Sequence, residues 1–133
     1  MSRANGVASL VGVVCQVRDL EGRQLTISDK TLRLRPNPSL DSSYLTIALS
    51  RDAVRSQVGG VLNGSTGQNN ISQREIRRLR LAVPERDVQS HIVNAARLFD
   101  TRLQAETQRA TALGALRSGL VDHLLAGHLR VPM

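Results

Sequence analysis

The chain has almost no aromatic residues: its 133 positions include one tyrosine, one phenylalanine and no tryptophan. Large aromatic side chains usually supply much of the area that a small core buries. Without them, a core must be built from leucine, valine, isoleucine and alanine. We therefore expect one modest core, of marginal stability when the chain is alone.

Cysteine is equally scarce, since Cys15 is the only one and no intramolecular disulfide can form. Cys15 lies in the apolar run 7–17, where we expect it to be a small buried hydrophobic residue. Neither a membrane-spanning apolar run nor a signal-peptide pattern is present in the sequence. These absences predict a cytoplasmic protein that does not contact a membrane.

Recognisable catalytic and ligand-binding patterns are also lacking. His123 and His128 are five residues apart and have no third ligand nearby, so no metal site is indicated. The acidic residues show no spacing typical of an acid–base pair. The sequence Gly64-Ser65-Thr66-Gly67 lacks the Gly-Lys-Ser/Thr ending of a phosphate-binding loop. We expect no catalytic residue, no cofactor and no enzymatic activity.

Positive charge is what the chain has in excess, and nearly all of it is arginine. Residues 1–84 contain 12 basic and 6 acidic residues, and Lys30 is the only lysine. Arginine forms bidentate contacts with phosphate and with guanine, so this excess favours a nucleic acid partner. The alternative explanation is codon composition: a GC-rich genome also encodes arginine in place of lysine on ordinary solvent-exposed surfaces. For any one arginine the two explanations weigh about equally.

Periodicity predicts short elements in residues 1–84. Segments 7–17, 24–27 and 31–35 are predicted strands, and Arg33 and Arg35 lie on the face opposite Leu32 and Leu34. Two short helices should follow, the first capped by Asp41 or Ser42 and the second, 51–58, capped by Ser50 and ended by the glycine pair at 59–60.

The next elements surround a polar, glycine-containing loop at 63–70. Ser72 and Glu75 have the spacing of a capping box, which predicts a helix start. Alternation in 79–83 predicts a strand that Pro84 ends.

One long helix is predicted from Glu85 to Ala126. At ~1.5 Å per residue it would be roughly 60 Å long, which exceeds the width of a small domain, so it should pack against another helix. Eight of its ten heptad core positions are apolar, and Glu106 and Arg117 occupy the other two. The predicted partner-helix seam consists of Ile92, Ala96, Phe99, Leu103, Ala110, Leu113, Leu120 and Leu124.

The order of these parts resembles the DNA-specificity subunit of type I restriction-modification systems. In that family a target-recognition domain ends in a Gly-rich turn, a short helix and a strand reaching proline, and a long spacer helix follows. The matching segments are GSTGQNNISQREIRRLRLAVPERDVQSHI and ALRSGLVDHLLAGHLRV, preceded by SDKTLRLRPNPSLDSSYLTIALSRDAVRSQV. The resemblance covers most of the chain from about Ile27 and rests on order and spacing.

The resemblance implies an α+β fold with residues 1–84 as a partial target-recognition domain and 85–133 as the spacer, coiled-coil helix. It implies a shortened domain, because a family recognition domain is usually longer before its spacer. The implied partners are double-stranded DNA and a methyltransferase (modification) subunit, with a restriction subunit in the larger complex. The seam of the long helix leaves open whether it pairs with a second copy of this chain or with another protein. The predicted DNA-binding residues are Ser65, Thr66, Gln68, Asn69, Asn70, Arg33, Arg35, Arg74 and Arg77.

Three classes of function remain open at this point. The first is a non-catalytic specificity component of a type I restriction-modification or methyltransferase complex. The second is a helical interaction module that binds a partner subunit without reading DNA. The third is an independent, small, basic nucleic-acid-binding protein with a dimerising helix. The affinity for duplex DNA, with and without a partner subunit, separates them.

Overall fold

The computed structural model describes residues 1–18, 20–63 and 67–127. It has the predicted α+β class, with short strands, short helices and one long helix. The chain divides into two compact units, Met1–Val93 and Asn94–Met133, and of the second unit the structure describes residues up to 127. This division falls within the long helix.

The regular sheet of the first unit is a two-stranded antiparallel pair. Strand β1 (Ala4–Asn5) pairs with β2 (Asn69–Asn70). An extended pairing beside it joins the amino terminus to the segment at residue 32. There the Met1 ammonium donates to the Leu32 carbonyl at 3.0 Å, and the Leu32 amide donates to the Met1 carbonyl at 2.8 Å.

The three strands predicted before residue 36 are wrong. Segment 7–17 contains a short 3-10 helix, Ala8–Leu10, and 24–27 is irregular. To the residues that the structure describes, segment 31–35 forms one bridge, between Thr31 and Ser2. Alternation of apolar and polar residues indicates that one side of a segment is buried. A segment can be buried on one side without pairing with a neighbouring strand. Cys15, predicted to be buried, is exposed.

Helices α1 (Ser42–Ser50) and α2 (Asp52–Gly60) confirm the predicted pair. The glycine pair at 59–60 was predicted to end α2 but lies in its last turn, and Val61 is the C-cap. Asp41 caps α1, its carboxylate accepting from the Ser43 and Tyr44 amides at 2.7 and 3.0 Å. The predicted cap at Ser50 is wrong. Ser50 is the last residue of α1 and its hydroxyl donates to the Thr46 carbonyl, so Arg51 is the N-cap of α2 without a side-chain bond.

The predicted strand at 79–83 is wrong, because this segment pairs with no strand in the described part of the chain. The side chain of Gln57, on α2, takes the place of a strand. Its carbonyl oxygen accepts from the Arg80 amide at 2.9 Å, and its amide donates to the Arg80 carbonyl at 3.0 Å. A side-chain amide has the same donor and acceptor as a peptide group, which makes this substitution possible.

Buried side chains of the first unit form two clusters. One contains Met1, Val11, Val58 and Ile71, and the other contains Tyr44, Ala48 and Val93. As the composition predicts, aliphatic residues dominate both clusters.

A close approach of chain segments at the first cluster requires glycine. Gly12 has φ +80°, and a Cβ atom there would lie 2.7 Å from Arg55 Nη1 and 2.9 Å from a Val58 methyl group. Arg55 itself is held there, donating to the Val11 and Ser9 carbonyls.

The long helix, α4 (Arg86–Leu125), begins and ends within one residue of its predicted bounds. Gly127 follows in the left-handed conformation that was predicted, with φ +74°. His128 and Pro132 lie outside the described residues.

Gln89 on α4 is fully buried in the first unit. Its oxygen accepts from the Asp41 amide at 2.8 Å, and its nitrogen donates to the Ser39 and Pro84 carbonyls at 3.0 and 2.8 Å.

Candidate nucleic-acid interface

The two ends of the polar segment 63–70 are paired with each other. The Asn63 amide donates to the Asn70 carbonyl at 3.0 Å and the Asn70 amide returns a bond of 2.9 Å. Of the predicted DNA-binding residues in this turn, Gln68 and Asn70 are exposed, while Ser65 and Thr66 lie outside the described residues. The exposed part of the turn is therefore presented from a fixed base.

Two asparagine side chains of this turn are used in holding it. Asn69 is half-buried and its side-chain amide donates to the Gly6 carbonyl at 3.2 Å. The Asn63 side-chain amide donates to a Glu75 carboxylate oxygen at 2.8 Å. Asn69, predicted to contact DNA, thus uses one of its two amide hydrogens within the protein.

The chain after the turn is fixed by a buried residue and a capping box. Ile71 is fully buried in the first cluster, and its amide donates to the Arg3 carbonyl at 3.0 Å. Ser72 and Glu75 then form the predicted capping box. The Ser72 amide donates to the Glu75 carboxylate at 2.7 Å, and the Glu75 amide donates to the Ser72 hydroxyl at 3.2 Å.

The same contacts set the charge state of Glu75. The Ser72 backbone bond lowers the pKa of Glu75 from its ordinary value most, followed by the Ser72 hydroxyl, the Asn63 amide and the positive charge of Arg74. Glu75 is therefore held as a carboxylate, and its acceptor oxygens are used within the turn and cap.

Helix α3 (Gln73–Ile76) carries Arg74, and Arg77 and Arg78 follow its last residue, Arg77 as the C-cap. Arg74, Arg77 and Arg78 are exposed and line one shallow depression together with Gln73. Arg77, the C-cap, keeps a helical backbone conformation and lies three residues after Arg74, a spacing that puts these two side chains on one face. Among the described residues, none of the three arginines forms an ion pair with a carboxylate. We call these three arginines the arginine ridge.

Arg33 and Arg35, the other predicted arginines, lie elsewhere. Both are exposed and line a groove of about 740 Å³, together with Arg23 and with apolar side chains that include Leu25 and Ile27. This groove and the depression at the ridge share no lining residue. The structure therefore brings Arg74 and Arg77 together and Arg33 and Arg35 together, as two separate pairs.

Sequence reasoning missed Arg78 on the ridge and Arg23 in the groove. Arg78 lies two residues beyond the end of α3, so helical spacing from Arg74 could not indicate its position. Arg23 lies in an irregular segment and also pairs with Glu21 at 3.1 Å, so periodicity could not indicate its position.

The described residues contain no group of three or more histidine, cysteine, aspartate or glutamate side chains able to hold a metal ion. In the same part of the chain, no helix is long and apolar enough to span a membrane. Comparison with protein-family models, with curated proteins and with solved structures gives no match to this chain.

Proposed function

We propose that this protein is a non-catalytic, cytoplasmic DNA-recognition component of a type I restriction-modification or methyltransferase complex. The observation that carries the proposal is the arginine ridge, with three exposed guanidinium groups on one face and none engaged by a carboxylate in the described part of the chain. Arg74 acts on Glu75 through its charge without forming an ion pair, so the guanidinium donors of all three arginines can be used for phosphate oxygens.

The setting of the ridge supports this use. The ridge lies in the part of the chain where basic residues outnumber acidic residues twelve to six. The capping box and buried Ile71 fix the backbone on which the arginines stand, so little conformational order has to be gained on binding. Gln68 and Asn70 lie exposed on the preceding turn and supply the amide groups that suit base edges.

Within the proposal, the roles of the two parts of the chain differ. The first unit contacts double-stranded DNA, with Arg33 and Arg35 as a second set of phosphate contacts. The long helix is the element through which the chain joins a modification subunit and, in the larger complex, a restriction subunit. Catalysis and the methyl donor belong to that modification subunit, as the resemblance implies.

The alternative is a helical interaction module that binds a partner subunit without reading DNA. One observation favours it: large apolar side chains on α4, including Phe99 and Leu103, are exposed by 75% and 66%. A contiguous exposed apolar face is typical of a protein-interaction surface. In the proposal the arginine ridge binds DNA, whereas in the alternative it binds no nucleic acid.

A titration of fluorescently labelled duplex DNA tests the proposal. The chain alone should bind weakly, with little sequence preference and with strong loss at higher salt, because few phosphate contacts and fewer base contacts are available. Addition of a type I modification subunit should tighten binding. Absence of binding in both states would reject DNA recognition and leave the interaction module.

A further inference from the structure

The groove lined by Arg33 and Arg35 includes one face of helix α1. Four residues of α1 line it at helical spacing: Ser42, Leu45, Thr46 and Leu49. Gln16, from another segment that lines the groove, is tied to this helix. Its side-chain amide donates to the Ser42 hydroxyl at 2.8 Å, and its oxygen accepts from the Ser43 hydroxyl at 3.0 Å. The groove is thus held open, and its volume of about 740 Å³ lies within the range of about 300 to 1,000 Å³ that is typical of binding sites.

The lining of the groove combines apolar side chains with positive charge. Large apolar residues there are exposed in the single chain, Leu25 by 57% and Ile27 by 50%. Among the described residues that line the groove, the charged ones are Arg23, Arg33 and Arg35, and none is acidic. A ligand that complements this lining carries both apolar groups and negative charge.

The backbone at Arg33 and Arg35 is an open edge. Met1 and Leu32 exchange both of their backbone hydrogen bonds, as directly opposed residues of an antiparallel pair do. Successive residues of an extended chain direct their backbone groups to opposite edges, so those of Arg33 point away from Met1. Pro36 favours an extended conformation at Arg35. In the part of the chain that the structure describes, the backbone amides and carbonyls of these two arginines form no hydrogen bond.

We propose that the groove binds an extended segment of another polypeptide, in which acidic and apolar residues alternate. The segment pairs with the open edge at Arg33 and Arg35 and adds a strand beside the pairing of residues 1–3 with 30–32. Side chains of opposed residues on neighbouring strands lie on the same face. Acidic residues of the segment therefore face Arg33 and Arg35, and the apolar residues between them lie on the face of the half-buried Leu34.

Two other classes of ligand match fewer of these features. An alkyl chain would cover the apolar lining but leave the peptide groups of Arg33 and Arg35 without partners, and burial of unpaired peptide groups is unfavourable. Duplex DNA can contact the two arginines in the proposed function, but the phosphate groups that do so would not cover Leu25 and Ile27. A polypeptide supplies negative charge, apolar groups and backbone hydrogen bonds together.

Fluorescence anisotropy of a labelled synthetic peptide tests the proposal, with the full chain and without DNA. A peptide in which glutamate alternates with valine should bind, and one with lysine in place of glutamate should not. Arg33→Glu with Arg35→Glu should raise the Kd of the glutamate peptide about tenfold or more, because like charges then face each other. This double variant should bind the lysine peptide instead. Arg51→Glu with Arg80→Glu makes the same change of charge at exposed positions outside the groove and should leave the Kd nearly unchanged.

Methylated peptides test the backbone pairing separately from charge. In one peptide every glutamate is N-methylated, and in the other every valine is. Alternate residues of a strand direct their N–H groups to opposite edges, so only one of the two sets faces Arg33 and Arg35. Methylation of that set should abolish binding, and methylation of the other set should not.

A measurement on the wild-type chain uses Cys15, which is the only cysteine, is exposed and lines the groove. The glutamate peptide should slow alkylation of Cys15 by iodoacetamide, and the lysine peptide should not. The proposal is overturned by a wild-type chain that does not bind the glutamate peptide, by equal binding of the two methylated peptides, or by equal losses in the two double variants. Binding of a fluorescent fatty acid in place of the peptide would assign the groove to a lipid and would also overturn it. Because these measurements contain no DNA, their outcome is independent of the function proposed for the arginine ridge.

Discussion

Replacement of Gln89 by alanine should be among the most damaging single changes in the first unit. Gln89 is fully buried and makes three hydrogen bonds, to the Asp41 amide and to the Ser39 and Pro84 carbonyls, at 2.8 to 3.0 Å. It joins the start of α4 to the segment that caps α1.

The expected loss of stability follows from the three backbone groups that would lose their hydrogen bonds to Gln89. Each net hydrogen bond is worth about 1 kcal/mol, and a buried polar group left without a partner costs about 1 to 3 kcal/mol more. With a cavity in place of the side chain, we expect Gln89→Ala to lower the free energy of unfolding by about 3 to 5 kcal/mol. That is a large fraction of the total for a small unit.

Urea denaturation followed by tyrosine fluorescence measures this loss. Tyr44 is the only tyrosine, there is no tryptophan, and Tyr44 is buried in the first unit with its hydroxyl donating to the Ala82 carbonyl at 2.9 Å. Gln108→Ala is the matched control, since Gln108 is exposed on the same helix. Equal denaturation midpoints for the two variants would refute the role assigned to Gln89.

Two further predictions concern stability. Gly12→Ala should lower the free energy of unfolding by about 2 kcal/mol or more, because a φ of +80° disfavours any side chain and the new Cβ would collide with Arg55 and Val58. The control Gly59→Ala, in open space on α2, should be neutral or stabilising. The pKa of Glu75 is lowered in the folded state, so its contribution is present above the ordinary carboxyl pKa and is lost as pH falls through the folded pKa. The Tm difference between wild type and Glu75→Gln should therefore shrink between about pH 6 and about pH 3, and a constant difference would count against the capping-box account.

Elements defined by local chemistry were predictable from the sequence. The capping box at Ser72, the cap at Asp41 and the bounds of α4 all depend on residues close together in the chain. The strands were not predictable in this way. An alternating segment needs a partner, and partners are chosen by long-range packing that periodicity does not contain.

The segment 79–83 shows the difference clearly. Its half-buried Leu79 and Leu81 produce the period of a strand, yet the hydrogen bonds of Arg80 go to the side chain of Gln57. A hydrogen bond between residues 23 positions apart cannot be predicted from a local sequence pattern. The role of Gln89 was not predictable for the same reason, because its three hydrogen-bond partners lie in two other segments of the chain.

The candidate site was predictable in part. Arg74 and Arg77 lie together on the arginine ridge, as their spacing in a capped helix indicates. Arg33 and Arg35 belong to an irregular part of the chain that lines the groove. The path of that part has no local sequence signature, so the separation of these arginines from Arg74 and Arg77 was not predictable. The use of Asn69 in a bond to Gly6 likewise depends on the pairing of β1 with β2.

The salt dependence of duplex binding tests the central proposal most directly. The affinity of the wild type for a duplex should fall linearly with salt on logarithmic axes, and Arg74→Ala with Arg77→Ala should lower the affinity alike for all sequences and flatten the slope by about one unit per lost contact. Arg97→Ala with Arg109→Ala removes the same charge from the long helix and should leave the slope nearly unchanged. A slope that is equally flattened by both pairs, or an affinity that neither pair alters, would contradict the assignment of the arginine ridge to DNA.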